Sequence, residues 1–218
     1  IAKGRLYDAG FKFPGHTEFL GELTAAAGFD GARGPIMMLT AQDLRVTLVT
    51  VHEPIARVSA ALSVEKIVNA GLVTAQALRR DFGIASPRLA VAGLNPHAGE
   101  GGLIGHEDHH VIAPAANAAR RKGVIALGPF PADTLFGAAV IGCDGQKYDC
   151  VVAMYHDQGL IPAKLLDGDR AVNVTVGLTT IRTSPAHGTA FDIAGQNIAR
   201  PDSMRAAITL AQQLLAHR

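Results

Sequence analysis

The stretch RLAVAGLNPHAGEGG, residues 88–102, decides the fold class of this chain. After Arg88 its first residues are small or apolar, without the alternation of polar and apolar side chains that marks a strand with one wet face. A second run of the same kind, CVVAMY, occupies residues 150–155. Strands buried on both faces have this composition and are typical of mainly parallel sheets covered by helices. The chain is therefore predicted to be an α/β protein.

Apolar, β-branched runs alternate with segments of helical periodicity along the rest of the chain. We predict strands over residues 36–40, 44–51, 88–93, 124–127, 150–155 and 172–176. We predict helices over residues 17–27, 64–82, 107–122, 132–141 and 202–215. The first two strands are separated by only a few residues, which indicates an antiparallel hairpin. Ser63 is expected to cap the second helix, and Gly83 to end it.

Composition and charge exclude several classes of function. The 218 residues are 48% hydrophobic, enough for a proper core. The 20 Lys and Arg nearly balance 19 Asp and Glu, and a net charge of +1 argues against a nucleic-acid-binding surface. No apolar stretch reaches the roughly 20 residues of a membrane span. We therefore expect neither a nucleic acid nor a membrane as a partner.

The cysteines and the first residues indicate the cellular compartment of the chain and where it begins. Two cysteines, Cys143 and Cys150, do not make a disulfide framework, and they predict a reducing cytoplasm. The chain opens with IAKGRLYDAG, without a Met and without a signal-like apolar stretch. This is the opening expected of a chain that begins inside a larger protein.

Three histidines follow predicted strands directly: His52, His97 and His156. In open α/β sheets ligands bind outside the carboxyl ends of the strands. Separations of 45 and 59 residues do not suit a local zinc finger, but they suit ligands gathered from separate strands onto one metal. The alternative is that all three are ordinary loop histidines. Asp157, next to His156, is a candidate to orient a ligand, to act as an acid or base, or to be a plain loop carboxylate.

Other polar residues fall near the same strand ends. His16 and Thr17 stand at a helix start, where backbone N–H groups favour an anion, although a simple cap explains Thr17 equally well. Lys164, Asn173 and Arg182 would suit a phosphorylated or carboxylated small molecule if they converge, whereas singly each is a surface or hydrogen-bonding residue. The remaining histidine cluster, in GHEDHH at residues 105–110, is interpreted as a solvated helix face.

Five blocks of sequence, in order, carry a resemblance to a known family: FPGHTEFL, AGLNPHAGEGG, MYHDQGLIPAK, VNVTVGL and IRTSPAHGTAFDIAG. Together they resemble 4-hydroxythreonine-4-phosphate dehydrogenase of pyridoxal phosphate synthesis. The resemblance implies an isocitrate/isopropylmalate dehydrogenase-like fold, with two lobes around a central cleft and the first lobe incomplete. Residues 1–170 would form the metal- and substrate-binding lobe, which also dimerises, and residues 171–218 the remainder of the cofactor-binding lobe.

The same resemblance implies roles for single residues. One divalent ion (Zn, Mg or Co) would be held by His52, His97 and His156, in a site shared between the two subunits of a homodimer. The implied substrate-binding residues are His16, Thr17, Lys164, Asn173 and Arg182. The implied catalytic residues are Asp133, Asp157 and Lys164. The segment HGTAFDIAG would hold NAD or NADP through His187, Gly188, Thr189, Ala190 and Asp192; a GxGxxG turn is not found in a strand–helix context.

The implied reaction is the metal-dependent oxidation of 4-phosphohydroxy-L-threonine, with decarboxylation to 3-amino-2-oxopropyl phosphate, in vitamin B6 synthesis. Sister dehydrogenases for D-threonate or D-erythronate 4-phosphate, or for a terephthalate dihydrodiol, are the alternatives within the scaffold. From other classes, a metal-dependent hydrolase and an inactive fragment stay open. The chain departs from the family at Glu53, at Thr179 and Thr180, and in a longer segment before Cys150, and these departures bear on the substrate.

Overall fold

The computed structural model describes residues 3–13, 15–142 and 147–218. Its strands are β1 (Ile36–Ala41), β2 (Leu44–Leu48), β3 (Arg88–Ala92), β4 (Ile125–Phe130), β5 (Cys150–Ala153), β6 (Val172–Val176) and β7 (Arg182–Pro185). Its helices are α1 (Lys3–Asp8), α2 (His16–Leu23), α3 (Ile55–Ala61), α4 (Val64–Arg80), α5 (Ala113–Arg121), α6 (Ala132–Ile141), α7 (His156–Asp167) and α8 (Asp202–Ala216). A π-helical turn, Asp108–Ile112, leads into α5, and a 3-10 turn covers Phe191–Ile193.

The described strands form one sheet in the order β4-β3-β5-β2-β1-β6-β7. The four strands β4, β3, β5 and β2 are parallel to one another, whereas β1 is antiparallel to both β2 and β6, and β7 is antiparallel to β6. The α/β class and the β1–β2 hairpin are confirmed. The expectation of a mainly parallel sheet is wrong for the β1–β6–β7 side. There the connections within β1–β2 and β6–β7 are too short for the crossover that parallel neighbours need.

The sheet is buried on both faces, as its composition predicted. Along β3, Leu89 and Val91 belong to one apolar cluster, while Ala90 and Ala92 belong to the other. The first cluster is closed by α4, α5 and α8, and the second by α6 and α7. Neighbouring residues of one strand thus pack on opposite sides, which leaves the strand ends as the places where polar side chains meet solvent.

The predicted end signals of α4 are confirmed. The Ser63 side chain accepts a hydrogen bond from the Lys66 backbone N–H at 3.2 Å, and Gly83 follows the helix with a φ of +69°. A left-handed residue just after a helix turns the chain away from the helix axis, and glycine adopts that conformation without strain. The helix then packs its apolar face into the core.

Helix α7 was missed by the sequence prediction, which extended the preceding strand to Tyr155. The helix contains Gly159 and Pro162, two residues with poor helix propensity. It forms because Gly159 lies against β2: a Cβ there would be 2.7 Å from a Val46 methyl and 2.8 Å from a Leu48 methyl. Close packing on the sheet therefore overrides local propensity. Strand β7 and the short helices α1 and α3 were missed as well.

The structure describes one of the two cysteines and allows a search for membrane-spanning helices. Cys143 lies outside the described residues. The Cys150 thiol is completely buried, and this burial raises its pKa to about 12. Within the described residues no single helix is both long and apolar enough to cross a membrane, although α3 and α4, which meet at a 90° bend, pass that test as a pair.

Candidate functional site

The three histidines at strand ends share one edge of the sheet. His97 follows β3, His156 follows β5 and His52 follows β2, and these strands are neighbours in the order β3-β5-β2. Because the three strands are parallel, their carboxyl ends lie at the same edge. The strand order thus brings together segments that are far apart in the sequence.

His52 and His156 form a close pair, with ring centroids 6.4 Å apart and ring planes tilted by 34°. Each Nδ1 faces a carboxylate: the His156 Nδ1 lies 2.6 Å from the Asp157 Oδ1, and the His52 Nδ1 lies 3.7 Å from the Glu18 Oε1. The second distance is too long for a hydrogen bond. A carboxylate on Nδ1 favours the tautomer whose lone pair is on Nε2, which is the arrangement that prepares an imidazole for a metal.

The histidine pair borders a cavity of about 500 Å³, which is lined as well by Glu53, Tyr155 and Asp157. His97 does not join this pair. Within residues 3–13, 15–142 and 147–218, no group of three or more His, Cys, Asp or Glu side chains is placed to hold a metal ion. One chain therefore brings two of the three predicted metal ligands together.

A second cavity, the central cavity, collects most of the predicted substrate residues. It has a volume of about 380 Å³ and lies between the start of α2 and the strands β6 and β7. The predicted site residues that line it are His16, Thr17, His52, Asn173, Arg182, His187 and Gly188. Segments around positions 16, 52, 173 and 187 thus meet around one space.

The guanidinium of Arg182 is held at the wall of this cavity. Its Nη1 donates to the Thr175 Oγ1 at 3.0 Å, and that hydroxyl lies 3.5 Å from the Thr17 Oγ1. Burial lowers the pKa of Arg182, while the negative charge of Glu18 opposes the shift. A half-buried cation with few anionic neighbours attracts an anionic ligand.

Sequence reasoning missed Thr175 and Glu18. Glu18 stands next to Thr17 in the motif quoted above, but a carboxylate in the first turn of a helix is expected for reasons of the helix dipole alone. Two buried oxygens near the cavity, the Glu18 Oε2 and the Asn173 Oδ1, have no hydrogen-bond partner among the described residues. Because an unpaired buried acceptor is costly, both oxygens favour a ligand that brings donors.

The predicted cofactor loop lies beside the central cavity. His187 and Gly188 line that cavity, and His187 and Ala190 line a further one of about 210 Å³ together with Asp169, Arg200 and Ser203. Thr189 and Asp192 are exposed and do not line either cavity. His187 is thus common to the two spaces.

Asp133 and Lys164 lie away from these cavities. Asp133 is exposed in the first turn of α6, and Lys164 is exposed on α7. The cluster in GHEDHH agrees with its interpretation for His106, His109 and His110, which are exposed. Asp108, in the middle of the same stretch, is only 1% exposed, contrary to that interpretation.

Comparison with known proteins adds a family to this geometry. The family model described as "Pyridoxal phosphate biosynthetic protein PdxA" matches residues 1–211. A 4-hydroxythreonine-4-phosphate dehydrogenase of Caulobacter vibrioides is 63% identical over the whole chain. The chain spans 64% of the length of that relative.

Two solved structures are similar to the chain. A 4-hydroxythreonine-4-phosphate dehydrogenase of Klebsiella pneumoniae superimposes with a TM-score of 0.81 at 46% identity, over 96% of this chain and 60% of that one. A terephthalate 1,2-cis-dihydrodiol dehydrogenase of Burkholderia xenovorans gives a TM-score of 0.70 at 35% identity, over 91% of this chain and 60% of that one. Both likenesses extend over most of the described fold.

Proposed function

The chain belongs to the family of pyridoxal phosphate biosynthetic protein PdxA, and we propose that it serves the metal-dependent, NAD(P)-linked oxidation of 4-phosphohydroxy-L-threonine. In this proposal the oxidised β-keto acid loses CO2 to give 3-amino-2-oxopropyl phosphate. The observation that carries the proposal is the central cavity, because it joins five predicted substrate and metal residues to two residues of the predicted cofactor loop.

The polar groups of the cavity suit a phosphorylated amino acid. Arg182 supplies a positive charge for a phosphate or a carboxylate, and it is oriented by Thr175. The buried acceptor of Asn173 fits a hydroxyl or ammonium group of the substrate. His16 and Thr17, at the start of α2, would position the remaining anionic group.

Imidazole nitrogens are common ligands of divalent metals such as zinc. Two imidazoles on one tetrahedral zinc have ring centroids about 5 Å apart, from a Zn–N distance of about 2 Å. His52 and His156, at 6.4 Å, need a small approach to meet this spacing. The carboxylates that face their Nδ1 atoms support Nε2 ligation. The pair therefore fits two positions of a metal site.

A homodimer with shared sites would supply what one chain lacks. His97 follows β3 at the same sheet edge but stands outside the histidine pair, and Asp133 and Lys164 are exposed. We propose that these three residues act on the site of a partner copy. His97 would then be the third metal ligand, and Asp133 and Lys164 would reach the substrate from across the interface.

The chemistry follows from these placements. When bound, the metal would lower the pKa of the substrate hydroxyl, and the nicotinamide of NAD or NADP would take up the hydride. Asp157 orients His156 through Nδ1, and its carboxylate would receive the proton of the substrate hydroxyl. Arg182 and Lys164 offset the negative charge of the substrate. His187 and Ala190, with Gly188, Thr189 and Asp192, would hold the cofactor beside it.

The test is the reduction of NAD or NADP, followed at 340 nm, with 4-phosphohydroxy-L-threonine and the purified chain. Zn²⁺, Mg²⁺ or Co²⁺ is added in parallel, and a chelated sample is the control. Turnover that depends on metal and on this substrate supports the proposal. Preference for D-threonate 4-phosphate, or for a terephthalate dihydrodiol, would instead identify the chain as a dehydrogenase of the same fold with a different substrate. Metal-dependent hydrolysis without reduction of either nucleotide would contradict the dehydrogenase.

A further inference from the structure

The segment that carries His97 has an unusual backbone. Five consecutive residues, His97 to Gly101, have φ values of 53°, 51°, 79°, 41° and 65°. In this left-handed region a residue other than glycine costs about 1–2 kcal/mol, and His97, Ala98 and Glu100 are such residues. A strained segment of this kind persists only where its surroundings hold it, and it is common at functional sites.

The turn that leads into this segment is held by the carboxylate of Asp108. This side chain is 1% exposed and accepts three hydrogen bonds from the turn that precedes His97. The donors are the Leu94 backbone N–H at 2.8 Å, the Asn95 backbone N–H at 3.0 Å and the Asn95 Nδ2 at 2.9 Å. The carboxylate therefore holds the two backbone N–H groups that follow Gly93.

Glycines let the chain wrap around this carboxylate on both sides of His97. A Cβ at Gly93 would lie 2.7 Å from the Asp108 Oδ1, and a Cβ at Gly99 would lie 3.2 Å from the Asp108 Cβ. The contact at Gly93 leaves no room for a side chain. Asp108 itself is fixed because it opens the π-helical turn that leads into α5. The segment is thus anchored to a helix rather than to the sheet alone.

We propose that Asp108 is a positioning residue that sets the place of His97. The carboxylate acts through the backbone of residues 94 and 95 and touches neither substrate nor metal. This inference rests on the proposed function, because that function makes His97 the third metal ligand.

The test compares Asp108→Asn with the parent chain. The amide keeps the shape of the side chain but replaces one acceptor oxygen by a donor that faces backbone N–H groups. Zinc affinity, measured by competition with a chromophoric chelator, is expected to fall about tenfold. Hydrogen exchange at the Leu94 and Asn95 amides is expected to accelerate at the same time.

The chain offers a matched control at the other end of the same strand. The Asp149 Oδ2 accepts from the Arg88 backbone N–H at 2.8 Å, at the amino end of β3. Asp149→Asn makes the same Asp-to-Asn exchange at a carboxylate that accepts from a backbone N–H, without touching the His97 segment. The zinc affinity of this variant is expected to stay within about twofold of the parent. Residues that support a metal ligand typically change the affinity by about tenfold or more, which is the loss expected for Asp108→Asn.

A second variant keeps the inference testable if Asp108→Asn does not fold. The added Cβ of Gly93→Ala would lie 2.7 Å from the Asp108 Oδ1 and 3.0 Å from the Ala98 Cα, so it crowds both the carboxylate and the His97 segment and is expected to produce the same two changes. Parent-like zinc affinity in whichever of the two variants folds, with His97→Ala weakened, would overturn the positioning role. Equal affinities for the parent and His97→Ala would instead overturn the metal role of His97, and with it the purpose assigned to Asp108.

Discussion

Two parts of one sheet edge hold their histidines in different ways. At the ends of β2 and β5, His52 and His156 are about 40% exposed, and their Nδ1 atoms face side-chain carboxylates. At the end of β3, His97 sits in a left-handed segment that is wrapped around the buried carboxylate of Asp108. The first pair is oriented by side-chain carboxylates, and the third histidine by the backbone conformation of its own segment.

The difference suits the proposed division of labour between two copies of the chain. In the proposed dimer, a ligand that reaches a partner's site is separated from the other two ligands, so its own backbone would have to place it. Ligands within one site can rearrange together when a metal enters.

The first prediction concerns the support beneath His156. Gly159→Ala in α7 places a Cβ 2.7 Å from Val46 and 2.8 Å from Leu48, and it is expected to lower the free energy of unfolding by about 1–3 kcal/mol. Urea unfolding measures this change. Gly137→Ala in α6 is the control, since nothing lies within 4 Å of its added Cβ. It is expected to gain about 0.5–1 kcal/mol. Equal stabilities of the two variants would contradict the close packing of α7.

The second prediction concerns the orientation of His52. Glu18→Gln removes the charge that faces the His52 Nδ1, and it is expected to lower zinc affinity about tenfold. Glu22→Gln, on the exposed side of the same helix, is expected to leave the affinity unchanged. Competition with a chromophoric chelator measures both. If Glu18→Gln binds zinc like the parent while His52→Ala does not, the carboxylate has no part in orienting the ligand.

The third prediction addresses the strain around His97. Glu100 is exposed and has a φ of 41°, so that Glu100→Gly is expected to raise the free energy of unfolding by about 0.5–1 kcal/mol. The matched change Glu22→Gly lies within α2 and is expected to lower it by a similar amount. Thermal and urea unfolding report both. A loss of stability in Glu100→Gly would show that its side chain outweighs the backbone strain.

The fourth prediction is a pH dependence of stability that arises at Glu107, next to the turn that leads to His97. Hydrogen bonds from Ser59 and Asn95 lower the pKa of Glu107 from 4.5 to about 2. A lowered folded-state pKa stabilises the protein above about pH 4.5, and this stabilisation is lost as the pH falls toward 2. Solvent screening keeps its size below about 1 kcal/mol. Parent and Glu107→Gln are therefore expected to differ in unfolding midpoint at pH 6 and to converge toward pH 3. A difference that does not vary with pH would contradict this interpretation.

The sequence predicted the strand ends that bear the three histidines, but not the buried carboxylate that holds the turn before His97. The strand ends before His52, His97 and His156 were predictable because buried strands have an apolar composition that stops where the chain emerges. Asp108 was not predictable in the same way. It lies in a stretch of charged residues and histidines that has the composition of a solvated surface, and its partners are backbone N–H groups at residues 94 and 95. Composition does not record hydrogen bonds to a distant backbone.

Helix α7 and the antiparallel side of the sheet also depend on contacts between residues that are remote in sequence. Gly159 and Pro162 weaken the local signal for a helix, and only contact with Val46 and Leu48 on β2 explains why a helix forms there. Strand β7 is short and polar, and its pairing with β6 brings Arg182 opposite Thr175. These pairings depend on residues that are remote in sequence.

Residue type alone predicted most of the buried strands, the approximate positions of their ends and the polar side chains that follow them. Burial and chain reversal leave local patterns in residue type, so they can be recognised without coordinates. The tertiary structure alone decided that β3, β5 and β2 are neighbours, and that Thr17 and Arg182 meet through Thr175 at the wall of one cavity. Strand order and cavity walls are set by the packing of the whole core, which no local segment encodes.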